Sequence, residues 1–403
     1  MSKPAWLLLV IAALIFSYYA RPFYDFSWVV MSRIRDAVTT RLGAPMVRQE
    51  RQQVLDSADG QAREMDAYLQ GLRDAQSLDR TLAALDFSST DNYVLSTKAM
   101  RARFQESLRY PPPGYLDAIT GKVADEPAGE DGVATYRRLE IPVLPGVHAI
   151  GYYMRPRNAG ARDKLPLVIA AAGRGGIPEP TADGKLPIVQ HDSKDFAWEA
   201  LRRGYAVWLP TFAHFAFGSN DYRDRLAVNA WESGTSLPAI EIAKVVKALD
   251  VLTQRDDIDP QRVAMIGHSY GGFYTLYTSA LEPRIRVAAV SAYLNDRAKV
   301  LDASAPGGFL DWRYPDSLTL WRDPAVVALV APRPLLFIAG NQDQLFPIEG
   351  ARRTAPEAAR VYKQLGIGER FEFSEFVARH DFNGAAALDF VDKYMGRGAG
   401  SPK

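Results

Sequence analysis

Two spacings of apolar residues divide this chain. From residue 32 to 108, apolar positions recur every three or four residues among charged ones, as at Met65, Tyr68, Leu69 and Leu72. No proline interrupts the stretch after Pro45, so several helices are predicted, ending at Pro111-Pro112-Pro113. Beyond it the pattern changes to short apolar runs bounded by turn formers. Ala134 to Val143 and His148 to Arg155 read as an opening pair of strands, and Pro166 to Ala172 and Tyr205 to Pro210 as the next two. Runs leading to Ser269, Tyr293, Gly340 and Val377 bring the expected total to eight strands. Two of them, Leu165 to Ala172 and Pro334 to Gly340, are continuously apolar, as strands buried on both faces must be. Helical stretches such as Ser193 to Arg203 and Leu237 to Gln254 lie between strands. The alternation predicts an α/β fold, a mostly parallel sheet covered by helices on both faces.

The first residues follow neither pattern. Ala5 to Ala20 is an uncharged run of 16 residues. As a helix it would span about 24 Å, short of the ~30 Å hydrocarbon core unless Phe23 to Met31 extend it at the interface. A single-pass membrane anchor is expected. The alternative is a signal peptide, against which Tyr18 stands where cleavage prefers a small residue. The expected organisation is thus an anchor or signal segment over 1–31, a helical extension over 32–125, one large domain over 126–396 and a flexible tail over 397–403. The helical extension reads as packing on that domain or joining it to the membrane.

Composition narrows the function classes. The chain has 403 residues, with 48 basic against 47 acidic side chains, so it carries no electrostatic footprint for nucleic acid. It contains 0 cysteines, which excludes disulfides and any thiol nucleophile. Its 5 histidines show no zinc-ligand spacing, and no metal is expected.

The chemistry-bearing pattern is Gly267-His268-Ser269-Tyr270-Gly271, which follows the apolar run from Val263 and precedes a helical segment. A Gly-x-Ser-x-Gly string alone arises by chance in roughly one chain in eight of this length, so its position carries the weight. The serine stands at the carboxyl end of a strand, on a turn that demands small residues two places either side, and ligands bind at that edge of a parallel sheet. A serine hydroxyl needs a base and an orienting acid to act as a nucleophile. His268 lies inside the turn and His148 in an early strand, whereas His380 follows the strand-like Arg370 to Val377 and is the expected base. His191 and His214 are secondary candidates for the substrate pocket. Asp343, just past the buried run ending at Gly340, is the expected acid, with Asp296 as the alternative. The oxyanion donors are expected to be the backbone NH of Tyr270 and that of Arg174, in the Gly173-Arg174-Gly175-Gly176 loop. Between Asp302 and Trp321 lies an aromatic-rich insertion, in which Trp312, Tyr314 and Trp321 are expected to line a substrate cleft.

These residues resemble the α/β hydrolases, within them the dienelactone hydrolase and acetyl-xylan-esterase-like group, over roughly residues 105 to 396. The resemblance rests on Tyr110-Pro-Pro-Pro-Gly114, Gly267-His-Ser-Tyr-Gly-Gly272, Ala331-Pro-Arg-Pro-Leu-Leu336 with Gly340-Asn-Gln-Asp343, and Arg379-His-Asp-Phe-Asn-Gly384. Many relatives carry His-Gly at the oxyanion loop where this chain has Ala172-Gly173. The resemblance implies a serine carboxylic-ester hydrolase, needing no cofactor, acting on a small-molecule ester such as an acetyl or sugar ester. The Gly-x-Ser-Tyr-Gly-Gly string also looks like that of the prolyl-oligopeptidase group, whose large β-propeller has no counterpart in the short helical region here. A membrane-tethered, non-catalytic scaffold is the remaining alternative. The catalytic domain is expected outside the cytoplasm, as in the periplasm.

Overall fold

The computed structural model describes residues 31–34, 45–75, 77–174, 196–213, 220–300 and 309–397. The apolar segment Ala5 to Ala20, His191, His214 and the tail beyond residue 397 lie outside them. Among the described residues no helix is long and apolar enough to cross a membrane.

The chain forms two compact units, residues 1–73 and 74–403. The described part of the first is mainly helix α1 (Pro45–Asp74), whose Val54, Leu55, Met65, Tyr68, Leu69 and Leu72 are exposed. The second unit opens with α2 (Leu78–Leu82) and α3 (Thr90–Leu108). Ser89 caps α3, its hydroxyl accepting from the NH of Asn92 at 3.1 Å. Tyr93, Thr97, Phe104 and Leu108 recur at helical spacing and are buried. The Tyr93 hydroxyl donates to the Ala328 carbonyl at 2.7 Å, and Arg101 donates to the carbonyls of Ala280 at 2.9 Å and Leu329 at 3.0 Å. These two helices therefore belong to the unit that contains the sheet.

That sheet has nine strands in the order β1-β2-β3-β5-β4-β6-β7-β8-β9. They are β1 (Ala124–Glu130), β2 (Ala134–Leu144), β3 (Val147–Pro156), β4 (Leu165–Ala171), β5 (Ala206–Pro210), β6 (Ile258–His268), β7 (Val287–Ser291), β8 (Leu335–Gly340) and β9 (Phe371–Phe376). The first three and the β3·β5 pair are antiparallel, and every pair from β5 to β9 is parallel. The ninth strand, β1, is one the sequence pattern did not announce. Its Ala-Asp-Glu-Pro-Ala-Gly-Glu has no alternation, and a proline is tolerated there because β1 is an edge strand with a register shift between Pro127 and Gly129.

Helices α4 (Phe196–Arg202), α5 (Asn220–Glu232), α6 (Leu237–Leu252), α7 (Tyr270–Leu281), α8 (Arg297–Val300), α9 (Asp323–Val330), α10 (Ile348–Gln364) and α11 (Gly384–Met395) complete the unit. They bury both faces of the parallel strands, and every residue of β4, β7 and β8 is buried. Two apolar clusters result. One includes Leu167, Met265, Phe273 and Phe337 on one face, the other Val168, Ile266, Ile338 and Phe382 on the other. The parallel register aligns the carboxyl ends, with Ala171 opposite Gly267, His268 opposite Ser291 and Gly340 opposite Phe376. Gly173, Ser269, Asp343 and His380 all follow those ends.

Candidate active site

Ser269 joins β6 to α7 at φ 56° and ψ −114°, a backbone conformation that side-chain-bearing residues avoid. Its NH donates to the Ser291 carbonyl at 2.8 Å and its own carbonyl accepts from Phe273 at 3.0 Å, so β7 and α7 hold the turn. The turn fits against β4 only because Gly271 lacks a side chain: a Cβ there would stand 1.9 Å from the Ala171 carbonyl oxygen. The serine is 7% exposed, a shallow position that still meets solvent.

The loop after β8 carries Asp343. Its Oδ1 accepts from the NH groups of Leu345 at 2.8 Å and Phe346 at 3.0 Å, and its Oδ2 meets Nδ1 of His380 at 2.7 Å. A carboxylate only accepts, so Nδ1 of His380 carries the proton and Nε2 keeps its lone pair for a donor. Gly340 makes the approach possible, because a Cβ there would lie 2.2 Å from the Arg379 carbonyl oxygen. The loop after β9 is stitched on by Asn341 NH to Phe376 O at 2.9 Å and Gln342 NH to Ala378 O at 2.8 Å. The alternative acid, Asp296, faces elsewhere: its carboxylate is 4.0 Å from Arg353.

His268 is buried with both ring nitrogens lacking a hydrogen-bond partner among the described residues. Its ring centroid lies 4.8 Å from that of His380. Burial, and then the neighbouring His380, hold its pKa well below the ordinary histidine value. It stays neutral and packs beside the base. His148 lies on β3 near Glu140 at 3.9 Å, in a different strand pair from the serine.

Gly173 borders the turn, where an added Cβ would stand 3.4 Å from Cβ of Ser269. Arg174 follows it, half-buried, with its guanidinium carbon 3.6 Å above the Phe309 ring. Burial first, and then Arg223, lower the Arg174 pKa. Tyr270 opens α7, so its NH belongs to the positive end of that helix.

The insertion after β7 departs from expectation. Trp312, Tyr314 and Trp321 are 2%, 4% and 2% exposed, and all three are core residues rather than cleft lining. Trp321 packs on Phe104 of α3 at 4.7 Å, and the Tyr314 hydroxyl is 3.0 Å from that of Tyr277. The reason is tertiary: α3 supplies an apolar face that covers this part of the insertion. Trp312 stacks on the ring of Tyr270, the residue after the serine in the chain, at 4.9 Å and 3°. Phe346, which sequence reasoning passed over, stacks on His380 at 5.6 Å and 14° and meets Trp312 edge-on at 5.9 Å. Only its place three residues after Asp343 hinted at this. Arg297 is likewise a residue the pattern missed. It is buried and donates to the Tyr293 hydroxyl and the Trp312 carbonyl, both at 2.8 Å. Among the described residues no three His, Asp or Glu side chains group as a metal site.

A strained serine after the central strand, a histidine bound to a carboxylate, and nine strands in this order coincide with a match to the Alpha/beta hydrolase family over residues 191–392. The chain belongs to that family. Among its curated relatives, "Putative hydrolase YtaP" of Bacillus subtilis is 25% identical over 61% of this chain and 84% of its own length. "Uncharacterized peptidase YuxL", also of Bacillus subtilis, is 32% identical over 56% of this chain but only 33% of its own length. Among solved structures, "Methylesterase BT1017" has the same fold, with a TM-score of 0.57, 19% identity and coverage of 85% of this chain and 69% of that one. This α/β hydrolase thus carries its polar loops at the edge of the sheet where the family's fold exposes them.

Proposed function

We propose that this α/β hydrolase is a serine carboxylic-ester hydrolase acting through Ser269, His380 and Asp343. The observation that carries the reading is the 2.7 Å bond between His380 Nδ1 and Asp343 Oδ2 on the edge where the strained Ser269 stands. With Nδ1 committed to Asp343, Nε2 of His380 takes the Ser269 proton as Oγ attacks the ester carbonyl. The NH groups of Tyr270 and Arg174 receive the charge that develops on the carbonyl oxygen. Collapse expels the alcohol, which takes the proton from His380, and leaves an acyl group on Ser269. Water, deprotonated by the same imidazole, then releases the acid. The sequence requires no cofactor, and an acetyl or sugar ester is the substrate class we favour. The full-length chain is treated with a fluorophosphonate probe and the label located by mass spectrometry. Label on Ser269, lost in Ser269→Ala, is expected; a folded protein that takes none would sink the reading.

A peptidase is the second reading, favoured by the 32% identity to a relative named as a peptidase. An aminoacyl anilide turned over faster than simple esters would establish it. The N-terminal apolar segment is proposed as a membrane anchor holding the hydrolase outside the cytoplasm, to be checked by fractionation and by protease access in intact cells.

A further inference from the structure

Helix α1 leaves a continuous apolar stripe open to solvent. Leu55, Ala58, Ala62, Met65, Leu69 and Leu72 follow one another at alternating steps of three and four residues. Such steps average close to the 3.6 residues of one helical turn, so the six side chains fall in one line along the helix. The four large ones are 42% to 61% exposed, and Val54 and Tyr68, which widen the stripe along one side, are exposed as well. The polar ties within the helix lie outside the stripe: Gln52 donates to Asp56 at 2.8 Å and Gln70 to Asp66 at 3.2 Å.

A helix in water is held mainly by the packing of its apolar face. From Leu55 to Leu72 the stripe runs about 26 Å, and an exposed apolar surface of that extent marks an interaction site. Its spacing names the geometry, because apolar residues repeating in steps of three and four form the a and d seam of a coiled coil. Charge narrows the partner. Residues 52–74 carry Arg63 and Arg73 against five acidic side chains, whereas a helix that lies on an anionic lipid surface has a basic polar face. A second copy of this chain offers the same stripe, and the residues flanking the seam accept it in one orientation. With the two copies parallel, Gln61 faces Asp66 of the second copy and Tyr68 faces Arg73 of the second copy, an amide beside a carboxylate and a cation beside a ring. With the copies antiparallel, the flank bearing Asp59 and Asp66 lies against itself and sets carboxylates together.

We infer that α1 pairs with α1 of a second copy of this chain as a parallel two-stranded coiled coil, with Leu55, Ala58, Ala62, Met65, Leu69 and Leu72 as its seam. The two alanine layers let the helices approach closely, and the leucine and methionine layers on either side supply the buried apolar area. Helix α1 lies in the compact unit that precedes the hydrolase unit, so the pairing joins two hydrolase units without drawing on the residues of either site. It is independent of the reaction proposed above.

The full chain contains no cysteine, so a single introduced thiol reports its own neighbour. Ala58→Cys and Ala62→Cys are each expected to give disulfide-linked dimers on mild oxidation, because parallel seam positions face their own copies within reach of a disulfide, whereas Ala67→Cys, on the outer side of the helix, should give at least ~10-fold less. Sedimentation equilibrium of the full chain is expected to show a dimer, with the dissociation constant raised at least ~10-fold by Leu69→Asp. Thermal unfolding of the hydrolase unit, unchanged by these substitutions at exposed positions, shows that each variant is folded. A monomeric wild type, a dimer indifferent to Leu69→Asp, or equal cross-linking at positions 62 and 67 overturns the inference. Cross-linking confined to mixtures of Ala62→Cys with Met65→Cys chains means antiparallel pairing and overturns it too.

Discussion

At the scale of single residues, the site depends on which acceptor each donor finds. His380 Nδ1 finds Asp343, whose second oxygen is occupied by two backbone NH groups, so the carboxylate has one orientation. An amide in its place can offer NH2 to Nδ1 and stabilise the wrong tautomer. Asp343→Asn is therefore expected to lower kcat/KM by about 10³–10⁴-fold, whereas Asp296→Asn, beside Arg353, should stay within about threefold. Ester kinetics on the two variants check this, and the opposite ranking would move the acid to Asp296. Asp323 poses a different question. Burial, opposed by Arg297, raises its folded-state pKa from 3.8 to about 6. Between those values the folded chain holds a proton that the unfolded chain releases, so this carboxyl makes stability fall as pH rises from about 4 to 6. Asp323→Asn lacks that loss, and the stability of wild type relative to it should drop by about 2 kcal/mol from pH 4 to 7. Urea denaturation across that range measures it, and a flat difference would refute it.

Elements place these residues because their ends are in register and their backbones come close. Gly271 lets α7 pack against the end of β4, and Gly340 lets the loop bearing His380 cross the end of β8. A methyl group at position 271 meets a carbonyl oxygen of the central sheet, and neither partner is a flexible side chain. Gly271→Ala is expected to cost more than about 3 kcal/mol, seen as a lowered urea midpoint or loss of soluble protein. The strands that position the serine and the acid were legible because parallel strands covered on both faces must be apolar throughout, as Leu165–Ala171 and Leu335–Gly340 are. Edge strand β1 was not, since pairing on one side with exposed faces imposes no such pattern.

In the whole molecule, α2 and α3 are part of the hydrolase unit's packing. Phe104 lies against Tyr277, Tyr314 and Trp321, three rings from distant segments. Residues 74–403 alone are expected to keep ester hydrolysis, while Phe104→Ala should destabilise the chain by about 3–5 kcal/mol; a melting temperature unchanged by Phe104→Ala would contradict this. By itself the sequence determined the succession of strands after β1 and of the helices between them, the serine turn and the histidine after the last strand, because each depends on neighbours within a few residues. The tertiary structure closed the choice between Asp343 and Asp296 by setting Asp343 against His380, and it sank Trp312, Tyr314 and Trp321 into the core while stacking Phe346 on His380. Those outcomes depend on which surfaces distant segments present to one another, and residue spacing along the chain carries no record of such contacts.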